Sequence, residues 1–339
     1  MPTVVPHKAC LCGFALQSGH GVPATEATVV FPLPEGTDFK GKWTKEVYEN
    51  NQGNFEETHY FTSGYTAEGS LKIPLVPGML TAAAAAIDTT PGGTDLFKWL
   101  FGRAADTTYY QGLYATLFFY YGQETYKLYS DVKCTGGSFT VENGSPVYMN
   151  VNALGGREPV TPSGTPSACF PAYSTGVWFD GTPYHGSGAT ISIGDSASYT
   201  GAAVRAFSAD QFTKNHTLEW DNRVMSAGDA STLVPGVLGP YALPNVARAG
   251  WTGSFTRWFT DTYLISAATS GYEGRYGLSI VQGTGTFALS FPRILFMDGM
   301  YPSLPGDGIV TNDGISFKAL GILGNPGTRC FDLSETIAS

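Results

Sequence analysis

Charge is what this sequence has least of. Asp, Glu, Lys and Arg make up 14% of its 339 residues, against about 25% in an ordinary soluble domain. Only 19 residues are Lys or Arg and the net charge is −9, which argues against a reader of nucleic acid with a basic gripping face. No run of five like charges occurs, so polybasic membrane anchors and solvated charged tails are absent. Long apolar runs are missing as well. The most apolar stretch, Leu113 to Tyr121, is nine residues, about half of what a membrane-spanning helix needs. Met1 to Gly13 has neither the basic start nor the apolar core of a signal peptide. The chain is therefore expected to be soluble and not secreted by a classical route.

Sulfur and catalytic motifs are equally sparse. Five cysteines (Cys10, Cys12, Cys134, Cys169 and Cys330) are an odd number scattered along a long chain. Cys10 and Cys12 are too close for a C-x-x-C redox pair and poorly spaced for zinc. Reduced thiols in a protein assembled in the cytoplasm are the expectation. His7, His20, His59, His185 and His216 stand alone, with no H-E-x-x-H pattern, and are expected on surfaces or loops. There is no G-x-S-x-G nucleophile elbow and no Walker loop. Gly283-Thr284-Gly285 lacks the rest of a dinucleotide fingerprint and reads as a turn.

What is present is turn and strand chemistry. Gly occurs 43 times, Pro 21 times, and aromatics reach 14%, a mixture that favours short strands joined by tight turns. Thr28–Leu33 and Ser70–Val76 read as strands, with the polar stretch from Glu35 to His59 between them as a long loop. Five consecutive alanines place a short helix over Leu80–Ile87. Val147, Met149, Val151 and Ala153 alternate with Tyr148, Asn150 and Asn152, the period of a half-buried strand, and Asn143-Gly144 before it is a hairpin signal. Gly155 to Tyr173 is rich in Pro, Gly, Ser and Thr and is the best linker in the chain. Beyond it, strands are expected at Ala189–Ile193, within Val204–Trp220, and at Thr252–Phe259, Thr286–Phe291, Arg293–Met297 and Ile315–Leu320. A second long loop runs from Asp221 to Val246.

One segment is written twice. Gly64-Tyr65-Thr66-Ala67-Glu68-Gly69-Ser70-Leu71 recurs, two residues shorter, as Gly250-Trp251-Thr252-Gly253-Ser254-Phe255. Each copy follows a long polar loop. A repeat of half the chain length points to a duplicated β module and toward assembly rather than catalysis. The expected organisation is all-β: two tandem β-sandwich domains, residues 1–158 and 177–339, each with a short flanking helix, joined by a linker over 159–176.

Three stretches carry a family resemblance. The first is Gly64 to Leu75 after its long loop, followed by the alanine-rich segment. The second runs from Ile191-Ser192-Ile193-Gly194-Asp195 through Val204–Asp210 to Leu218-Glu219-Trp220-Asp221-Asn222. The third is Leu289–Ile294, then Pro305-Gly306-Asp307-Gly308-Ile309, then Ile315–Leu320. Together they cover about half the chain and resemble the tail tube (major tail) proteins of long-tailed bacteriophages, in the class with two tube domains per chain. The resemblance implies sandwiches whose sheets join between subunits into a β-barrel lining a lumen, in stacked rings that conduct DNA. Two tube domains per chain imply homotrimeric rings. The resemblance further implies tape-measure, tail-tip and tail-terminator proteins as partners, a place in the virion tail after assembly in the host cytoplasm, and no cofactor. The long loops of such proteins reach the next ring, so Trp43, Tyr48, Phe55, Val237, Leu238 and Tyr241 are the expected apolar anchors between rings. An acidic balance fits a lumen that does not hold phosphates. Which residues face that lumen depends on strand register, so the sequence leaves them open.

Another tail or decoration structural protein with the same sandwich is the alternative within that class, and a different class stays in view as well, a carbohydrate-binding or glycan-cleaving β-sandwich. Its best carboxylate pair is Glu219 with Asp221, which would share one face near a strand end. Glu56-Glu57 would point to opposite faces, and Glu142 sits beside a turn. Tyr109-Tyr110, Phe118-Phe119-Tyr120-Tyr121, Trp251 and Trp258 could stack sugars but suit a core or interface better. Asp307, Asn312 and Asp313 lack calcium-loop spacing and read as turn residues. No catalytic residue and no metal ligand is assigned.

Overall fold

The computed structural model describes residues 10–48, 59–80, 95–101, 113–121, 126–155, 168–170, 177–179, 181–195, 205–208, 212–222, 224, 250–260, 262, 264–265, 273–299, 301–304, 310–321 and 330–337. The chain is all-β in character, as its composition predicts. The first half supplies β1 (Leu11–Leu16), β2 (Val29–Pro32), β3 (Asp38–Tyr48), β4 (His59–Pro74), α1 (Asp95–Phe101), β5 (Ala115–Tyr120), β6 (Tyr126–Val141), β7 (Tyr148–Gly155) and β8 (Val177–Trp178). The second half supplies β9 (Ala189–Asp195), β10 (Arg205–Ser208), β11 (Phe212–Asp221), β12 (Gly250–Trp258) and β13 (Glu273–Gln282). It ends with β14 (Gly285–Asp298), β15 (Pro302–Ser303), β16 (Thr311–Ala319) and β17 (Asp332–Ile337).

Eight strands lie edge to edge in the order β3-β4-β7-β6-β11-β12-β16-β14, every neighbouring pair antiparallel. This run crosses from one half of the chain to the other at β6–β11, where Ser138 pairs with Glu219 and Val141 with His216. β6 and β14 are long and each belongs to a second set of strands. The first part of β6 pairs with β5, which leads through β1 and β2 to the parallel partner β8. The first part of β14 pairs with β17 and β13, and β13 continues to β9 and β10. β6 changes partners where Asp131 takes a φ of 56°. There the Asp131 carboxylate accepts the Gly21 N–H at 2.7 Å, tying the bend to the segment after β1.

The repeated segments of the sequence fall on β4 and β12. These are the second and sixth strands of the eight, and they run in the same direction. Two expectations need correction. Asp38–Tyr48 of the first predicted loop is β3, an eleven-residue strand paired along its whole length with β4. Its first half does alternate, with Phe39, Gly41 and Trp43 on the core side and Asp38, Lys40 and Lys42 on the other, but the polar run Thr44-Lys45-Glu46 interrupts the pattern. The helix at Asp95–Phe101 was not anticipated, while the helix predicted over Leu80–Ile87 lies, Leu80 apart, outside the described residues. Of the expected linker, Cys169 and Phe170 are buried against Ala27 and Phe118, and the Ala27 N–H donates to the Cys169 carbonyl at 2.8 Å. Val177–Trp178, placed by sequence at the start of the second unit, pairs with β2.

One face of the run carries the core. Trp220, Trp251, Phe139, Phe255 and Phe317 are buried and meet Phe287, Phe291 and Tyr276 of β13 and β14. α1 seals the junction of the halves: the Trp220 indole N–H and the Asn222 amide both donate to the Leu100 carbonyl, at 2.9 and 2.7 Å. These satisfy a helix-end acceptor that has no partner within the helix. At the far end of the chain, the Glu335 carboxylate accepts from the Gly78 and Leu80 N–H groups, each at 2.8 Å, and from the Tyr184 hydroxyl at 2.7 Å. Three hydrogen bonds to one ionised acceptor tie β17 to the turn after β4. Glu335→Ala is expected to cost about 1–3 kcal/mol, read as a lower urea midpoint with an unchanged slope.

Candidate functional site

The opposite face of the eight-strand run is polar, and register now says which residues share it. Lys72, Asn150, Ser138, Glu219, Thr252 and Lys318 form one lateral row, each paired with the next. Tyr148, Thr140, Thr217, Ser254 and Ser316 form the next row by the same pairings. Alternation along each strand sends Met149, Val151, Leu218, Trp220, Trp251 and Phe317 to the core and these polar neighbours outward. The surface is uneven: shallow depressions of about 450 and 610 Å³ lie over Ser138, Glu219 and Lys318, and over Glu68, Ser70 and Asn152.

Carboxylates and ammonium groups balance on this face. Asp38, Glu68, Glu219 and Asp221 are interspersed with Lys40, Lys42, Lys72 and Lys318, all on the polar side of their strands. Lys40 is bonded to Asp38 at 3.0 Å, and the Lys72 ammonium lies 4.5 Å above the Tyr148 ring. Neutral Ser, Thr and Asn fill the space between. The acidic excess of the chain is not concentrated here among the described residues.

Glyco-chemistry would need more. Glu219 and Asp221 do share a face and line one depression together with Lys318. Trp220 and Trp251, which border the same depression, are 3% and 0% exposed, with their rings in the core. They are not platforms on which a sugar could stack. Glu142 is exposed beside the predicted Asn143-Gly144 turn. Asn312 is buried and accepts from the Arg257 Nε at 3.2 Å, so it faces inward. Glu56, Glu57 and Asp307 lie outside the described residues.

The remaining candidates are quickly placed. Gly283-Thr284 is the two-residue turn between β13 and β14, with Gly283 at a φ of 58°. All five cysteines are free thiols, and burial pushes those of Cys12 and Cys134 well up from their ordinary range. Among the described residues no three His, Cys, Asp or Glu side chains gather where a metal could sit, and no helix is long and apolar enough to cross a membrane. His216, expected on a surface or loop, is instead wholly buried and shares a hydrogen bond with the Tyr276 hydroxyl. Burial lowers its pKa from 6.5 to about 3, because the cation cannot be solvated there.

Comparison with family models and with curated proteins found no match. The site must therefore be read from its geometry.

Of the expected inter-ring anchors, Trp43 lies near the root of the β3–β4 hairpin, partly buried, with its ring 4.8 Å from that of Tyr65. Tyr48 ends β3 at the far end of the same hairpin. Phe55, Val237, Leu238 and Tyr241 lie outside the described residues. Sequence reading singled out Glu219 and Asp221 but missed Lys72, Ser138, Thr252 and Lys318. The alternation of Tyr148, Asn150 and Asn152 was the available signal for such a face. Its continuation across six strands is a matter of register.

Proposed function

We propose that this chain is a bacteriophage tail tube protein, a virion structural subunit whose trimeric rings stack into a conduit for DNA. One observation carries the reading: a continuous antiparallel run of eight strands, drawn from both halves, with one apolar and one polar face. In this reading the halves are two tandem β-sandwich tube domains sharing that run as their inner layer. The polar face lines the lumen.

Strand parity supports closure into a ring. Eight alternating strands leave the outermost two, β3 and β14, running in opposite directions. Copies related by rotation about an axis along the strands would therefore bring β3 of one, in antiparallel sense, beside the part of the next copy's β14–β15 edge that β13 leaves open, Phe296–Asp298 and Pro302–Ser303. An odd number would force a parallel joint at every seam. Such closure removes exposed edges that would otherwise invite aggregation, and the contact is heterologous, as cyclic rings require. The mixed, largely neutral face suits passage of a polyanion: among the described residues it offers no cluster of cations to hold phosphates, and charges of both signs cancel within a few residues. Tape-measure, tail-tip and tail-terminator proteins are the partners this role requires.

Negative-stain electron microscopy of concentrated protein tests the reading. Hollow tubes or stacked rings with three-fold or pseudo-six-fold top views are expected. Protein that stays monomeric at high concentration, even with tail-tip or tape-measure nuclei supplied, would overturn it.

A further inference from the structure

Four Asp-Gly steps occur in the sequence, at residues 180, 298, 307 and 313, and nothing local in the sequence ranks them. The structure singles out the second. Asp298 ends β14 just past a bulge, is exposed, and pairs with Ser316 of β16. Its carboxylate is turned back on its own chain: the Gly299 N–H donates to Asp298 Oδ1 at 2.7 Å. The carboxyl carbon, one covalent bond beyond that oxygen, is thereby held at about the 3–3.5 Å separation of a near-attack arrangement for the Gly299 nitrogen.

The peptide on the other side of that nitrogen is also fixed. Gly299 takes a φ of 78°, a conformation that favours glycine. A Cβ there would collide with the backbone of Gly314 and Ile315. So no side chain shields the nitrogen, and the turn lies pressed against β16.

We propose that Asp298–Gly299 is a site of spontaneous self-modification, at which the aspartate isomerises to isoaspartate through a succinimide. The Gly299 nitrogen bonds to Cγ of the neutral carboxyl group, and its proton leaves with the carboxyl hydroxyl as water. Water then opens the ring. Addition at Cγ restores aspartate. Addition at the Asp298 carbonyl carbon leaves the chain running through the side chain, one methylene longer, with a free carboxylate on Cα. Water is the only co-reactant. The extra backbone atom falls where Asp298 faces Ser316 and just before Gly299 settles against β16, so this strand end loses its register. The consequence for assembly rests on the tube reading above. Phe296–Asp298 belongs to the edge offered to β3 of the next copy, and a chain that isomerises before joining a ring presents a broken edge. The chemical step stands apart from that reading.

The full chain is incubated at about pH 5, where a carboxyl group is still neutral part of the time. Isoaspartate at 298 is then read by peptide mapping and by enzymatic isoaspartyl methylation. Asn143-Gly144, the one Asn-Gly step in the sequence, gains mass on deamidation and is told apart by that. In folded wild type, isoaspartate is expected to accumulate at 298 several-fold faster than in the same chain unfolded in urea. Asp298→Glu, which would have to close a larger ring, should show none at this position with its unfolding midpoint unchanged. Asp298→Asn should convert faster than wild type, because an amide need not be neutralised first. Wild type without isoaspartate at 298 after Asp298→Asn has fully converted would overturn the site. Equal or faster conversion in urea would overturn the role of the folded geometry. Isomerised chains that enter tubes as readily as fresh ones would overturn the edge consequence alone. Fresh wild-type chains that form neither rings nor tubes, with nuclei supplied, would instead overturn the tube reading.

Discussion

Trp220→Ala is expected to lose on the order of 4 kcal/mol of stability, within the range for emptying a buried aromatic site. Marginal stability makes that a large fraction of the total. Trp220 is 3% exposed and stands where the halves join. Its ring meets Phe101, Phe139 and Trp251 at centroid distances of 5.2, 5.4 and 5.5 Å. It also lies over Gly137, where a Cβ would come within 2.5 Å of the indole. Collapse around the cavity is hindered, because the surrounding rings come from α1, β6 and β12 and cannot all close inward at once. Trp220→Phe separates packing from hydrogen bonding. It keeps most of the ring and loses the N–H that donates to Leu100, so a loss of about 1 kcal/mol is expected. Denaturant unfolding of the three proteins checks both values. An alanine variant within 1 kcal/mol of wild type would mean that the β6–β11 seam is not held by this ring.

Acid should unfold the protein through His216 well before general protonation of the core becomes possible. In the folded chain the imidazole titrates near pH 3, against 6.5 when exposed, because burial penalises its cation. Above pH 6.5 it is neutral in both states and contributes nothing to pH dependence. Between 6.5 and 3 the unfolded chain takes up a proton that the folded chain refuses, so stability falls as pH falls; below 3 the loss is complete. At 1.36 kcal/mol per unit, acidification to pH 4 removes about 3 kcal/mol. His216→Phe, beside Phe255 and Tyr276 in the same core, should lose much less between pH 7 and pH 4. Carboxylates titrate in this range too, so the difference between the two proteins is the measurement. Equal losses in both would place the pH dependence elsewhere.

Local signals in the sequence carried the strands whose faces differ sharply. Val147–Ala153 alternates because one face meets the core and the other water, and β7 occupies that stretch. The Gly64 and Gly250 segments marked strands in corresponding places of the run, since backbone and packing demands recur there. β3 was passed over although Phe39, Gly41 and Trp43 alternate with Asp38, Lys40 and Lys42, because Thr44, Lys45 and Glu46 break the period and the surrounding stretch is polar. α1 was hidden for the opposite reason. Leu96 to Phe101 are all buried, Lys98 among them, and a short segment buried on every side has no readable period. The polar face could be guessed strand by strand but not assembled. Ser138 and Glu219 become neighbours only through a pairing between distant segments, and nothing local in either strand specifies it.

β6 also has a consequence for synthesis. Its second half is flanked by β7 on one side and β11 on the other, so during translation the Gly136–Val141 edge has to wait until residues 216–221 have been made. Long-range pairing of this kind is slow and is committed late. The nascent chain thus carries a provisional strand edge that its own C-terminal half later occupies. A complete pair of outer edges exists only once the whole polypeptide has folded. Under the proposed tube reading, truncated or unfinished chains would lack the geometry to join a growing ring, and the order of folding would act as a proofreading step before assembly.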